Sequence, residues 1–286
     1  MALQRICDPM LPELSRVFDA PISEVSQVIS LFALTYGLMQ LFYGPVGDRF
    51  GKYRVVMLAA IGCSVGSTLS ALSANLEVLV ATRVATALAA AAIIPLTLAW
   101  VGDVVHYEQR QETLARVGLG TTLGMTGGQL FGGLLTDTLG WRWAFALMAA
   151  VFAIVSYLLW RQLQHLEPVA QHGHEPAGFF QQLKQVANDT WARTLLGVAL
   201  VEGAMIFGLL AVTASHLHHT HHISLTVAGG TTALFGLGGM TYMAVAKFAI
   251  RRFGEVGLAR WGGMYFGLAF LTIAFSPWWQ LALPAC

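Results

Sequence analysis

Glu202 is the only Asp, Glu, Lys or Arg between residues 194 and 246. An acid isolated in so long an apolar stretch is costly when ionised. It takes up or sheds a proton according to what lies beside it, which is what a proton carrier requires. Its plainer reading is a protonated acid bonded to a neighbouring helix. Arg5 and Asp8 are three residues apart, share one face of a helix, and can pair. Arg83 lies in another apolar run, where a guanidinium costs about 2.5–3.5 kcal/mol at a span centre. Its place near one end of that run lets it snorkel. Glu202 is therefore the expected proton site and Asp8, held ionised by Arg5, the competing acid. Arg5 and Arg83 are the cations that an ionised Glu202 would meet.

Five imidazoles fall within seven residues, at His216, His218, His219, His221 and His222. Such a cluster can hold Zn²⁺. No carboxylate or Cys accompanies it, so the expectation is a polar external turn and no metal. Protonation near pH ~6.5 would make that turn pH-sensitive. Cys7, Cys63 and Cys286 are too few and too scattered for a disulfide framework or a zinc site. There is no nucleophile–base pair and no phosphate loop, so neither an enzyme nor a cofactor is expected.

The elements that carry these residues follow from composition. The chain has 286 residues, 56% hydrophobic, with mean hydropathy +0.63 and 11% charged. Soluble domains carry about 25% charged residues, so this is not an ordinary soluble enzyme or a disordered chain. A net charge of +1 gives no field to attract nucleic acid. Eight runs, 25–47, 55–76, 84–102, 117–136, 143–160, 194–213, 223–246 and 261–275, lack charge except for Glu202. A span needs about 20 apolar residues, and its backbone must bond within itself, so helices are predicted. The apolar segment 1–14 adds a partial first helix, and 277–286 a stub of a tenth. The chain is expected to lack part of its first helix and its last two and a half helices. No cleavable signal peptide is expected.

The Lys and Arg residues orient these spans. One set of alternate loops holds 12 of the 16, and the other set holds only Arg16 and Arg142. Basic loops stay inside, which places 48–54, 103–116, 162–192 and 247–260 in the cytoplasm and 214–223 outside. Within 162–192, Phe179, Leu183, Val186 and Ala187 fall on one helical face and predict a short interfacial helix. Arg49-Phe50-Gly51 recurs as Arg252-Phe253-Gly254, each after the second helix of a half. A parallel repeat of two halves produces this pattern.

Here the chain resembles the major facilitator superfamily, whose G-x-x-x-D-R-x-G-R/K loop is matched by Gly44, Asp48, Arg49, Gly51 and Lys52. The fifth-helix pattern of its proton-coupled antiporters, G-x-x-x-G-P-x-x-G-G, is matched by Gly124, Gly128, Gly132 and Gly133. Gln129 stands where the Pro belongs. Arg83 takes the place of the family's fourth-helix Arg, and the usual Gln and Gly after it are Thr86 and Ala87. Asp8-Pro9-Met10-Leu11-Pro12 looks like the end of the first helix in the twelve-helix drug and sugar efflux branch.

The resemblance implies an all-α polytopic fold of two six-helix halves. Here it is divided into 1–161, a linker 162–192 and 193–286. It implies a secondary transporter working by alternating access, with efflux of a small organic compound against inward proton flow. The 44–54 loop would act as a charged latch on the inside, and the fifth-helix glycines would line the sliding contact between halves. The plainer readings are that the basic loop only sets topology and that the glycines only pack. Gly62 with Gly66, and Gly263 with Gly267, have the same packing spacing. In the loop, Gly44, Gly47 and Gly51 would permit close approach, and Asp48 would favour the start of the third helix. A monomer in a bacterial inner membrane is expected, using the proton gradient as its coupling ion. The alternatives are a symporter or facilitator of the same fold, or a non-transporting fragment.

Overall fold

The computed structural model describes residues 1–164 and 188–275. Among these residues the chain is helical throughout, with no strand. The short α1 (Ala2–Arg5) leads through a 3-10 turn (Asp8–Met10) to α2 (Leu11–Phe18). Pro9 and Pro12 lie in the first turns of the latter two segments, where a missing N–H does no harm but a continuous helix cannot form. The expected half-span is thus three short pieces. Asp19, in the left-handed conformation, ends α2. α3 (Ile22–Val25) then leads into α4 (Gln27–Phe50).

α5 (Lys52–Ala71) follows after one residue, Gly51, at φ 87°. The expected turn over 44–54 is therefore a single glycine, with Gly44, Gly47 and Asp48 inside α4. α6 (Leu76–Ala90) starts at Asn75, whose side chain accepts from the Val78 N–H at 2.9 Å. Pro95 cannot bond back to the Ala91 carbonyl, and the helix breaks there before α7 (Ile93–Val104). α8 (Tyr107–Thr138) begins three residues later and absorbs most of the expected 103–116 loop into its first turns. Gly140, at φ 97°, turns the chain into α9 (Trp141–Leu163).

The second half is described by α10 (Thr190–His221) and α11 (Leu225–Phe275). The 51 residues of α11 would reach about 76 Å if straight, far beyond a hydrocarbon core of ~30 Å. Two helices meet within it at Gly254, at φ 66°. Gly51 and Gly254 occupy the same place in the Arg-Phe-Gly repeat, and both take a positive φ that glycine adopts without strain. The internal repeat is therefore a backbone repeat as well. Five of the helical stretches among the described residues are long and apolar enough to cross a membrane.

A buried cluster of Leu3, Ile6, Phe32, Leu79 and Phe145 holds the first half together. Apolar lipid supplies no hydrophobic drive between spans, so close fit matters more. Gly62 lies against Ala89, and Gly66 against Thr86. Gly263 and Gly267 are different: they are exposed, and a side chain added at either would meet nothing among the described residues. The interfacial helix expected near 179–187 and the stub 277–286 lie outside the described residues.

Candidate functional site

Of four sequence-predicted charges, Arg5 and Asp8 pair, Arg83 is buried against Leu3 of the same N-terminal segment, and Glu202 joins neither. Asp8 and Arg83 are almost wholly inaccessible, and Arg5 is 5% exposed. Arg5 Nη1 donates to Asp8 Oδ2 at 3.1 Å and to the Phe207 carbonyl of α10 at 3.4 Å. Its guanidinium also lies 4.4 Å from the Phe207 ring centroid. One side chain of the first half therefore binds an acid of its own half and a helix of the other.

Arg83 does not snorkel. Its Nη2 donates to the Leu3 carbonyl at 2.8 Å, and its guanidinium lies 3.9 Å from the Phe32 centroid. Nε and Nη1 are buried without a hydrogen-bond partner. Ring faces accept part of that charge, while the Leu3 carbonyl, within α1, ties α6 to that short helix. Glu202, expected to be buried, is exposed on a face of α10 that no described element covers. The structure does not bring it to Arg5 or Arg83.

Near this cluster the two halves enclose a cavity of about 120 Å³ between α8, α10 and α11. Thr126, Gln129, Leu210, Phe235 and Gly236 are among its walls. Gln129 was met in the sequence only as a departure from a Pro, yet it is 3% exposed with its Nε2 unpartnered. Asp8 Oδ1 is also unpartnered. The glycines of α8 divide by direction. Gly124, Gly128 and Gly132 lie against the Met1–Ile6 segment of their own half, whereas Gly133 lies against Leu225 of the other. The second half supplies its own close contacts to α8, at Gly229 against Gln129 and Gly236 against Thr126. A side chain at these positions would meet backbone or a short branched hydroxyl, so the contact depends on glycine.

At the end assigned to the cytoplasm, Lys52 Nζ lies 3.5 Å from Asp48 and 2.6 Å from Asp103 of α7. Sequence reasoning missed Asp103, because a lone acid closing an apolar run carries no motif. Asp48 does not favour the start of α5 as expected. It sits in the last turn of α4 and acts by holding Lys52, while Gly51 occupies the cap position. Arg49 is exposed, 5.4 Å from the Phe50 centroid, and a side chain added at Gly44 would meet nothing among the described residues. Tyr53 reaches the Leu159 carbonyl of α9 at 3.2 Å.

At the opposite end, Asp137 accepts from the Leu225 N–H at 3.2 Å and from the N–H and hydroxyl of Thr226. The histidines are not a loop here. His216, His218, His219 and His221 lie in the final turns of α10, and only His222 leaves the helix, in the left-handed conformation. His218 Nδ1 is 2.7 Å from the Ile223 carbonyl. Among the described residues no group of three His, Cys, Asp or Glu is arranged to hold a metal.

The profile of the Major Facilitator Superfamily matches residues 2–286. The chain is 23% identical over 250 residues to the uncharacterized MFS-type transporter YwfA of Bacillus subtilis, covering 86% of this chain and 60% of that protein. It is 30% identical over 194 residues to a triacylglyceride transporter of Mycobacteroides abscessus, covering 66% of this chain and 34% of that one. To the quinolone resistance protein NorB of Staphylococcus aureus it is 29% identical over 150 residues, 52% of this chain and 32% of the relative. Among solved structures, a bacterial homolog of the human lysosomal transporter Spinster superposes with TM-score 0.77 at 19% identity, over 99% of this chain and 67% of that one. A D-xylose–proton symporter gives 0.60 at 16% identity, over 99% and 75%. The chain thus spans less than two thirds of the length of the three sequence relatives named here.

Proposed function

The chain belongs to the major facilitator superfamily, an integral membrane transporter family, and from that premise we propose that it exports a small organic compound in exchange for inward-moving protons. The observation that carries the proposal is the buried Arg5–Asp8 pair reaching Phe207 across the contact between halves. An ion pair buried this deeply is sensitive to protonation of its acid, because a neutral Asp8 no longer holds Arg5 by charge. Arg5 is then freer to leave either Asp8 or the Phe207 carbonyl. A proton at this place changes how firmly the halves are joined, and that is the linkage proton-driven alternating access needs.

Export is supported by the quinolone resistance protein among the relatives and by the fifth-helix glycines, which fit α8 closely to both halves. Lys52 with Asp48 and Asp103 provides a clasp at the inner end, and Asp137 with Thr226 one at the outer end. The reading places the protein in a bacterial inner membrane as a monomer, with no cofactor.

The test uses everted membrane vesicles containing the full chain and a fluorescent quinolone. Respiration acidifies the interior, and accumulation that collapses on adding a protonophore is expected. Accumulation insensitive to the protonophore overturns proton coupling, and uptake equal to that of vesicles lacking the chain overturns export of this class.

A further inference from the structure

We propose that an anionic phospholipid headgroup bridges Arg54 of α5 and Arg161 of α9, on the lipid side of the first half at its inner end. Both guanidiniums are exposed, and neither has a hydrogen bond or an ion pair among the described residues. The two helices are neighbours in a fixed register. The Tyr53 hydroxyl donates to the Leu159 carbonyl at 3.2 Å, and the Ser64 hydroxyl to the Ala149 carbonyl at 2.8 Å, so α5 and α9 run antiparallel. Arg54 is one residue beyond Tyr53, and Arg161 two beyond Leu159. Their backbone levels therefore differ by about 5 Å along the helix axes. The Arg54 stem leans back toward Gly51, which carries its charge inward toward the level of Arg161.

Both arginines stand on faces turned to lipid. On α5, Arg54 shares a helical face with Leu58, Ile61, Val65 and Leu69, all exposed. On α9, Trp143 and Arg161 are eighteen residues apart, which is five full turns, so they share one face. That separation is about 27 Å, close to the thickness of a hydrocarbon core. Trp143 thus marks the outer interface and Arg161 the inner one. Tyr157 and Trp160 stand beside Arg161 in the last turns of α9, half exposed, with ring centroids 6.1 Å apart. Aromatic rings of this kind sit at headgroup level.

Charge and shape select the occupant. Neither α5 nor α9 contains an Asp or Glu. Asp48 and Asp103, at the same end, are held by Lys52. Two positive charges are therefore left without a protein acid beside an apolar face. A guanidinium is a planar fork that matches phosphate oxygens, and one phosphodiester can serve two such forks. A zwitterionic headgroup brings an ammonium that the same two charges repel. The exposed apolar stripe of α5 takes acyl chains, which a soluble phosphate lacks. Orientation of the spans asks only that Lys and Arg lie inside. It does not ask for two unpaired arginines on the lipid side of packed helices, next to a pair of interfacial rings. A headgroup held by both would tie α5 to α9 where Tyr53 already meets Leu159.

This contact does not depend on proton-driven export. The experiment reads tryptophan quenching of the full chain in phosphatidylcholine nanodiscs holding a minor share of brominated phosphatidylglycerol or, separately, of brominated phosphatidylcholine. The emission lost in Trp160→Phe isolates Trp160, and that lost in Trp143→Phe isolates Trp143 at the far end of the same helix. Each arginine near the surface enriches an anionic headgroup about fivefold. Trp160 is therefore expected to be quenched more by the brominated phosphatidylglycerol, and Trp143 equally by both lipids. Arg54→Gln with Arg161→Gln should remove the preference at Trp160. Arg54→Lys with Arg161→Lys should keep most of it, and high salt should weaken it. Trp143 quenching that matches the parent shows that each variant is folded and inserted. Added inorganic phosphate should leave Trp160 unchanged. Equal quenching of Trp160 by the two lipids overturns the proposal, as does an equal preference at Trp143 or one that survives the two Gln substitutions. Loss of the preference on adding phosphate, at constant ionic strength, overturns the lipid as occupant.

Discussion

Asp137, in the last turn of α8, receives the N–H and the hydroxyl of Thr226, in the first turn of α11. A carboxylate of one half therefore caps a helix of the other. The first turn of a helix has backbone donors with no partner in the helix, and a negative charge there is favoured by the dipole. Such a bond between halves holds only while the outer ends are together, so it biases the transporter toward the arrangement closed outside.

Removing this cap shifts that balance. Loss of an N-cap acid costs about 0.5–2 kcal/mol, so Asp137→Ala should raise the outward-open population by about two- to thirtyfold. Spin labels placed at Leu139 and Thr220, one on each half, would report the separation. An unchanged distance distribution in Asp137→Ala would remove the gating role.

The inner clasp predicts an order of effects. Lys52 is closer to Asp103 than to Asp48, and Asp103 is the less exposed of the two acids. Partly exposed ion pairs contribute about 0.2–1 kcal/mol, so each loss should change transport by only about two- to fivefold. Asp103→Asn is expected to be the more harmful, Asp48→Asn the milder. The exchange Lys52→Asp with Asp103→Lys should recover part of the activity. Equal transport in all these variants, at matched expression, would reduce the loop to an orientation signal.

Much of this arrangement was legible in the sequence because its causes are local. Apolar runs of bilayer length read as helices, the Arg5–Asp8 spacing read as a pair, and the Arg-Phe-Gly repeat coincides with two of the three positive-φ glycines among the described residues, Gly51 and Gly254. Helix ends were read less well. The stretches 103–116 and 214–221 look like loops by polarity, but a helix leaving the membrane keeps its own hydrogen bonds and continues into water. Long-range partners were not legible at all. Nothing local tells Asp103 to meet Lys52, or Gln129 to face Asp8 and a cavity, since those contacts are set by how six helices pack.

Orientation has a direct check. Lys52, Asp103 and the Tyr53–Leu159 contact gather at one end, and Asp137, Thr226 and the Arg142–Ser73 contact at the other. Cys7 and Cys63 are buried, so with Cys286→Ser they leave a quiet background. In that background His221→Cys should react with an impermeant maleimide on intact cells, and Phe253→Cys only after permeabilisation. The reverse pattern would invert the topology.

The competing acids can be separated by one experiment. Asp8 is inaccessible and bonded to Arg5, while Glu202 is exposed on α10 without a partner among the described residues. An acid couples proton and substrate only if its ionisation changes the relative free energy of the two arrangements. Asp8 meets that condition through Arg5 and Phe207, since the same guanidinium holds the acid and the other half. Glu202 meets it only if its neighbours differ between arrangements, and no contact of that kind is seen around it here. Asp8→Asn and Glu202→Gln keep shape and hydrogen bonding but cannot titrate. Asp8→Asn is therefore expected to abolish accumulation driven by a pH gradient while leaving exchange of labelled for unlabelled compound at a rate within about threefold of the parent, because exchange needs the rocking motion but no net proton movement. Glu202→Gln should keep both activities. If Asp8→Asn still accumulates compound at the parental level and Glu202→Gln does not, the proton site is Glu202, and the Arg5–Asp8 pair serves only to hold the halves in register.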